Sequence, residues 1–490
     1  MGEEIEVRSA SPKGRPVLDW GTKLLYALGS GASAIKSRAL STFLLIFYNQ
    51  ALGLPPELVS TAIMIALIFD AIVDPVVGQI SDRFRSRWGR RHPFMYLSAL
   101  PTAGAFFLLW NPPSGLDHSQ LFAYVLACLM TMRLFDTFFE LPSSALAPEL
   151  TDDYRERTTL VSLRTGIGVV TGFAMTLAGF QYFLRETADG QGGVAGRDGY
   201  LAFSATASLL ILTLILVSTA GTHRFIPWLR QEPARKAPLR TQIGELAATL
   251  KNHAFCVAAV AGMLLAVGIG VRQALEIYFY LYFWEFSQAQ ISLLTLVSVP
   301  GTLAGVAIAP ALADRFGKKW AMIGLFGAGA AISLIPVFLR LFDVIPGNGH
   351  PAVFAMIIVE TIVVQVLLIA GNVLNTALIM DIVEDAEVRT GRRSEGLLLA
   401  ADNFFKKMVS GVGIFVTGLI LALVSFPKDA KREGVSEEVL GDLALVYAPA
   451  FFLPLALSLI VMAWFRIDRA AHERNLEVLR ERGDSERAPL

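Results

Sequence analysis

Twelve stretches of roughly twenty predominantly apolar residues recur along this chain of 490 residues. A helix of that length crosses a hydrocarbon layer about 30 Å thick. Backbone immersed in hydrocarbon must satisfy its own hydrogen bonds, so only helices and closed barrels survive there. Apolar runs this long predict helices, at 24–48, 57–80, 93–110, 119–146, 158–183, 200–221, 254–283, 290–313, 320–340, 352–381, 396–425 and 444–465. Charged residues make up 17% of the chain, against about 25% in a soluble globular protein. The expected class is an all-α membrane protein with twelve transmembrane helices.

The remaining counts exclude several functions. The 42 basic residues balance the 42 acidic ones, so no global basic field attracts nucleic acid. Cys128 and Cys256 cannot build a disulfide framework or a zinc site, and both sit in apolar runs. The six histidines form no HExxH pair, and there is no GxxxxGK[ST] loop or GxSxG elbow. ATP-driven pumping and serine hydrolysis lose their usual support, and no enzyme or cofactor is expected. The N-terminal MGEEIEVRSASPKGRP has no apolar run after a charged start, unlike a signal peptide.

The widest polar stretch between spans, at 223–251, falls after the sixth. It divides the chain into a tail (1–22), a six-helix bundle (23–222), a linker (223–252), a second bundle (253–466) and a tail (467–490). With the N-terminus inside, 29 basic residues fall in cytoplasmic segments and 6 in external ones. This asymmetry predicts both termini in the cytoplasm, with the chain in the inner (plasma) membrane. An internal repeat agrees with two related bundles. Asp82-Arg83 followed by Gly89-Arg90-Arg91 comes after span two, and Asp314-Arg315 followed by Gly317-Lys318-Lys319 after span eight.

Ionisable residues within spans are costly, by about 3 kcal/mol or more, so they face a cavity or a partner. Asp70 and Asp74 share one helix face at i,i+4. Two such carboxylates suit a sodium or proton site, or else pair locally near Pro75. Arg133, Asp136 and Glu140 form another face; an internal Arg133–Asp136 pair would leave Glu140 as a site candidate. Arg164 is a substrate ligand or a carboxylate partner. Of Lys406 and Lys407, about 100° apart on the helix, only one points at a central cavity. Arg272 and Glu276 read as a self-paired face, and Glu360 stands alone. Lys36 and Arg38 point in different directions. Gly168–Gly172 and Gly301–Gly305 are small-residue spacings that allow helices to approach closely.

The two loops resemble the motif of the major facilitator superfamily, whose charges link helix ends in one conformational state. Asp82, Arg83, Arg90, Arg91, Asp314 and Arg315 are then expected in gating. More specifically, DAIVDPVVGQISDRFRSRWGRRHPF, ELPSSALAPELTDDYRERTTLVSLR and MDIVEDAEVRTGRRSEGLLLAADNFFKKMVSG resemble the glycoside–pentoside–hexuronide:cation symporters. The likeness runs through nearly the whole chain. It implies two pseudo-symmetric six-helix bundles and a small-molecule substrate bound at their interface. By position it implies Asp70, Asp74 and Glu140 as cation ligands for sodium or protons, and Lys407 as the coupling lysine. It also implies Arg164 as a sugar contact and Asp381 and Glu384 as the helix-ten acidic pair.

Two positions depart from the pattern. Ser37 stands beside Lys36 where the sugar symporters carry an acid, and Ser144 replaces a helix-four aromatic. Lys36, Ser37, Glu140 and Arg164 are the expected substrate-binding set. Added positive charge on helix one favours an anionic sugar such as a hexuronide. The expected activity is import by cation-coupled symport. The alternative keeps the fold and moves an amphiphile such as a lysophospholipid.

Overall fold

The computed structural model describes residues 18–151, 153–185, 193–229, 253–390, 395–428 and 434–465. Most of the two expected tails and of the linker lies outside them, as does part of the TGRRSEG segment. Twelve long helices follow one another among the described residues. They are α1 Trp20–Ala39, α2 Pro56–Arg83, α3 His92–Trp110, α4 His118–Ser144, α5 Tyr154–Ala178 and α6 Tyr200–His223. After the linker come α7 His253–Tyr278, α8 Gln288–Phe316, α9 Lys318–Leu341, α10 Pro351–Thr390, α11 Glu395–Leu423 and α12 Glu437–Ala463. No strand occurs among the described residues.

Eleven of these helices are long and apolar enough to cross a membrane. The exception is α1, rich in Gly and Ser and carrying Lys23, Lys36 and Arg38. Half of its residues are buried, packed on α5 and α6, so low apolarity is tolerated there. Local signals set the helix starts. Asp117 and Gln120 form a reciprocal capping box on α4, and Ser287 and Gln290 form one on α8, each satisfying two free backbone donors. Ser436 caps α12, which starts seven residues before the expected span because its first turns are polar. Gly317, at φ +76°, breaks α8 from α9 in a conformation that only glycine adopts without cost.

Packing repeats with a shift of six helices. α1 packs on α5 and α6, α3 on α4 and α6, and α2 on α4. Correspondingly, α7 packs on α11 and α12, α9 on α10 and α12, and α8 on α10. This correspondence defines two pseudo-symmetric six-helix bundles. The small-residue spacings do the packing expected of them. A methyl added at Gly172 would lie 3.3 Å from the Ala34 side chain, and one at Gly305 only 2.7 Å from the Val366 carbonyl oxygen.

The two halves meet where α2 crosses α11 and, more lightly, where α5 meets α8. Many of these contacts lie toward the end where α2 begins and α11 finishes, here called distal. A methyl at Gly418 would sit 2.6 Å from the Pro56 carbonyl oxygen. Gln50 donates to the Pro427 carbonyl at 3.1 Å, and Tyr278 donates to Asn49 at 3.0 Å. The distal ends of α1, α5 and α7 continue as π-helical turns, and the α5 turn packs on α8. Aromatic clusters fill the same end. Trp110 stacks on Tyr200 with centroids 5.3 Å apart, and Tyr278 meets Phe426 at 5.5 Å.

Candidate functional site

At mid-depth, α2 places Asp70 and Asp74 one turn apart, facing α4 and α11. Lys407 reaches them from the other half. Its Nζ lies 3.1 Å from Asp70 Oδ2 and 2.5 Å from Asp74 Oδ2. Lys406 turns aside and pairs with Asp402 at 2.8 Å, as the angle between adjacent helical residues requires. Arg133 Nη1 lies 3.5 Å from Asp70 Oδ2. The Thr137 hydroxyl lies 3.3 Å from Asp70 and 3.0 Å from Asp74, and also 3.0 Å from the Arg133 carbonyl. It has one proton, so it can donate to only one of the three acceptors at a time. The cluster is formally neutral: two carboxylates, one ammonium, one guanidinium. Adding a cation makes it positive unless Lys407 withdraws.

A second cluster lies on the α1, α4 and α5 side. Arg164 Nη2 donates to Glu140 Oε1 at 2.9 Å, and Ser33 donates to Glu140 Oε2 at 2.7 Å. Arg164 Nη1 donates to Ser143 Oγ at 2.7 Å, and Tyr26 donates to the Ser143 carbonyl at 3.0 Å. The Arg164 side chain is 10% exposed, whereas Glu140 is 41% exposed. Held by Arg164 and Ser33, the Glu140 carboxylate still has open acceptor capacity. Lys407 is 44% exposed. The two half-exposed charges, from opposite halves, mark the space between the bundles.

Several expected arrangements change. Asp136 pairs with Lys36 of α1 instead of Arg133, because α1 crosses α4 there and Arg133 faces α2. Lys36 is therefore 2% exposed and paired with Asp136. Ser37 is exposed, and Arg38 stacks over Phe173 at 4.0 Å. Glu140 stands with Arg164, apart from Asp70 and Asp74. Among the described residues, no three His, Cys, Asp or Glu side chains converge as a metal-holding group. Asp70 and Asp74, with Thr137, are the oxygen donors brought together.

The loop residues divide. Arg90 and Arg91 both bond Glu149, on the short helical turn Ala147–Leu150 after α4. The counterpart is Lys318 on Asp381 of α10, at 2.5 Å. Lys319 donates to the Ala463 and Phe465 carbonyls at the end of α12. Arg83, Asp314 and Arg315 are exposed, and Arg315 lies over Phe316 at 5.4 Å. The Asp82 side chain lies outside the described part. Thr137, Ser33, Tyr26 and Glu149 were not singled out from the sequence. Only Thr137 carried a signal there: it lies four residues after Arg133, on the same face.

The fold agrees with known proteins. The isoprimeverose transporter of Lactiplantibacillus pentosus is 23% identical over 473 residues, covering 94% of this chain and 93% of that protein. A putative glycoside/cation symporter of Escherichia coli (strain K12) is 25% identical, covering 92% of this chain and 93% of its own. Among solved structures, the inward-open xylose transporter XylE of E. coli matches with TM-score 0.56 at 14% identity, covering 94% of this chain and 98% of that one. The nucleoside transporter NupG matches with TM-score 0.57 at 14% identity, covering 91% of this chain and 100% of that one. Likenesses this remote show the major facilitator fold and no more. A sequence model described as MFS/sugar transport protein matches residues 25–469. The chain is thus a multi-pass membrane transporter, not an enzyme, and belongs to the MFS/sugar transport protein family.

Proposed function

We propose that this chain imports a sugar, glycoside or hexuronide by cation-coupled symport across the inner membrane, with both termini cytoplasmic. The observation that carries the reading is the Asp70–Lys407–Asp74 bridge between the two halves. A sodium ion or proton at Asp70 and Asp74, with Thr137 as a neutral oxygen, takes over the charge that Lys407 balances. Lys407 then withdraws toward the space between the bundles, where Glu140 and Arg164 bind substrate hydroxyls with Ser37 and Lys36 beside them. Glu140 connects the two sites: it lies three residues, under one turn, from Thr137.

The rigid units are the bundles at 23–222 and 253–466, with 223–252 as a cytoplasmic linker. They rock about the midplane, as expected of transporters built from repeats. With its halves joined distally, the molecule is in the inward-facing state. Arg90 and Arg91 on Glu149, and Lys318 on Asp381, belong to the gating loops, together with Asp82, Arg83, Asp314 and Arg315. The names of the relatives favour a sugar over a lysophospholipid. Lys36, neutralised by Asp136, also weakens the case for an anionic over a neutral sugar.

The test is uptake into proteoliposomes, comparing neutral glycosides, uronides and lysolipids with and without sodium and proton gradients. Gradient-driven accumulation of a sugar is the expected result. Accumulation indifferent to both ions, or seen only with lysolipids, would sink the reading.

A further inference from the structure

The exchange of Lys407 for a cation leaves one charge at the mid-depth cluster unused. Arg133 of α4 lies 3.5 Å from Asp70 Oδ2, the same oxygen that Lys407 approaches to 3.1 Å. The two bases differ in where they come from. Lys407 belongs to the other half and is 44% exposed, on a flexible stem. Arg133 sits in the same half as Asp70, 21% exposed, on a helix packed along α2. Rocking of the bundles moves Lys407 and leaves Arg133 beside Asp70. A guanidinium also keeps its proton throughout, so this charge is permanent.

Asp74 is placed differently. Among the described residues its one ion pair is with Lys407, at 2.5 Å, and the Thr137 hydroxyl lies 3.0 Å from its other oxygen. α2 packs on α4 and α11. Those helices bring Arg133 to Asp70 and Lys407 to both aspartates; the charged groups acting on Asp74 are Lys407 and Asp70. Asp136 and Lys406 are taken up by Lys36 and Asp402. Withdrawal of Lys407 therefore leaves Asp70 balanced by Arg133 and one negative charge, on Asp74.

A hard cation such as sodium binds through several oxygens at once. To collect them here it has to lie between the two carboxylates, using Asp70, Asp74 and Thr137 together. That position is next to the oxygen that Arg133 faces, and like charges so close repel strongly away from bulk water. An ion held by Asp74 alone escapes the guanidinium, but one carboxylate and one hydroxyl are too few for a metal cation. We propose, on the symport reading above, that Arg133 is the ion-selectivity residue: fixed at Asp70, its charge shuts sodium out of the Asp70–Asp74 site. Of the two coupling ions this leaves the proton, which needs a single oxygen. It forms an O–H bond on Asp74 as Lys407 departs, still an ammonium ion, and is released when Lys407 returns.

The test is charge movement in proteoliposomes holding the full chain on a solid-supported membrane, after a jump in proton or sodium concentration with no substrate added. In wild type a proton jump should move charge, and a sodium jump, against choline at the same ionic strength, should not. Asp74→Asn should lose the proton signal. Arg133→Gln should gain a saturable sodium signal; Arg133→Met, of similar length and uncharged, serves should the glutamine variant fail to fold. Arg133→Lys restores the charge and should be blind to sodium again, whereas a role in packing alone would not follow the charge. A wild type that answers to sodium, or uncharged variants that fold and stay blind to it, would overturn the proposal and leave the symport reading standing. A wild type silent to both ions would sink the two together.

Discussion

On the proposed function, Lys407 competes with the coupling cation for the same two carboxylates, so Lys407→Met should bind that cation more tightly. The magnitude follows from the geometry. Unit charges about 4 Å apart interact by about 4 kcal/mol at an effective dielectric of 20. The lysine is 44% exposed, and solvent screening roughly halves that figure, to about 2 kcal/mol. At about 1.4 kcal/mol per tenfold, this predicts a gain of about 30-fold in cation affinity. Cation-free Lys407→Met should also be less stable, because Asp70 and Asp74 then face each other with only Arg133 nearby. The assay is the melting temperature of the purified protein against sodium concentration and, separately, against falling pH. Ligand linkage turns affinity into a shift in the midpoint of each titration. The variant should start lower, respond at lower cation concentration, and converge toward wild type at saturation. Accumulation of substrate should be lost, since the cation no longer releases a bridge between the halves. An unchanged or weakened cation response would refute the idea that Lys407 and the cation exchange places.

Four further outcomes are expected. Asp70→Asn and Asp74→Asn should each abolish cation-driven accumulation in proteoliposomes while leaving a cooperative melt; wild-type accumulation in either would remove the site. Thr137→Val removes one neutral ligand and should weaken cation binding by about 1 kcal/mol, roughly fivefold, in the same melting titration. Arg164→Gln leaves Glu140 with Ser33 as its remaining partner; it should cost about 2–4 kcal/mol in a denaturation series and abolish sugar-induced stabilisation. Gly418→Val pushes against Ser60 and the Pro56 carbonyl, so cysteines placed at the distal end should react faster with a thiol reagent than in wild type.

The number and class of the helices were legible in the sequence because hydrocarbon leaves a backbone so few options. The twelve long helices follow the twelve apolar runs, and where α12 starts early the cause is its capped polar first turn. Face-sharing was legible too: Asp70 and Asp74 meet one lysine because four residues make about one turn. What that face meets was not legible. Spacing within α4 allowed Arg133 to pair with Asp136, but α1 brings Lys36 to Asp136 and α2 brings Asp70 to Arg133. Tertiary partners at hydrogen-bond distance displaced an i,i+3 pair worth only about 0.2–0.5 kcal/mol. The same limit hid Ser33 and Tyr26, ordinary residues of a Gly- and Ser-rich helix until α1 is laid against α4 and α5.

The division of contacts also bears on how a single ion could drive so large a movement. Each bundle keeps five helix pairs closely packed, and rocking leaves these untouched. The links that must break are the seam of α2 on α11, close at Gly411 and Gly418, the contact of α5 with α8, and the Gln50 and Tyr278 hydrogen bonds. A hydrogen bond contributes about 1 kcal/mol net, so the two polar links cost about 2 kcal/mol to release. That is the scale of the Lys407 exchange worked above. A ligand shifts a conformational equilibrium only by its differential affinity for the two states. A cation that removes the mid-depth bridge can then change the bias between states without overwhelming it. A far stronger bridge would lock one state, and a far weaker one would let the halves rock without the ion.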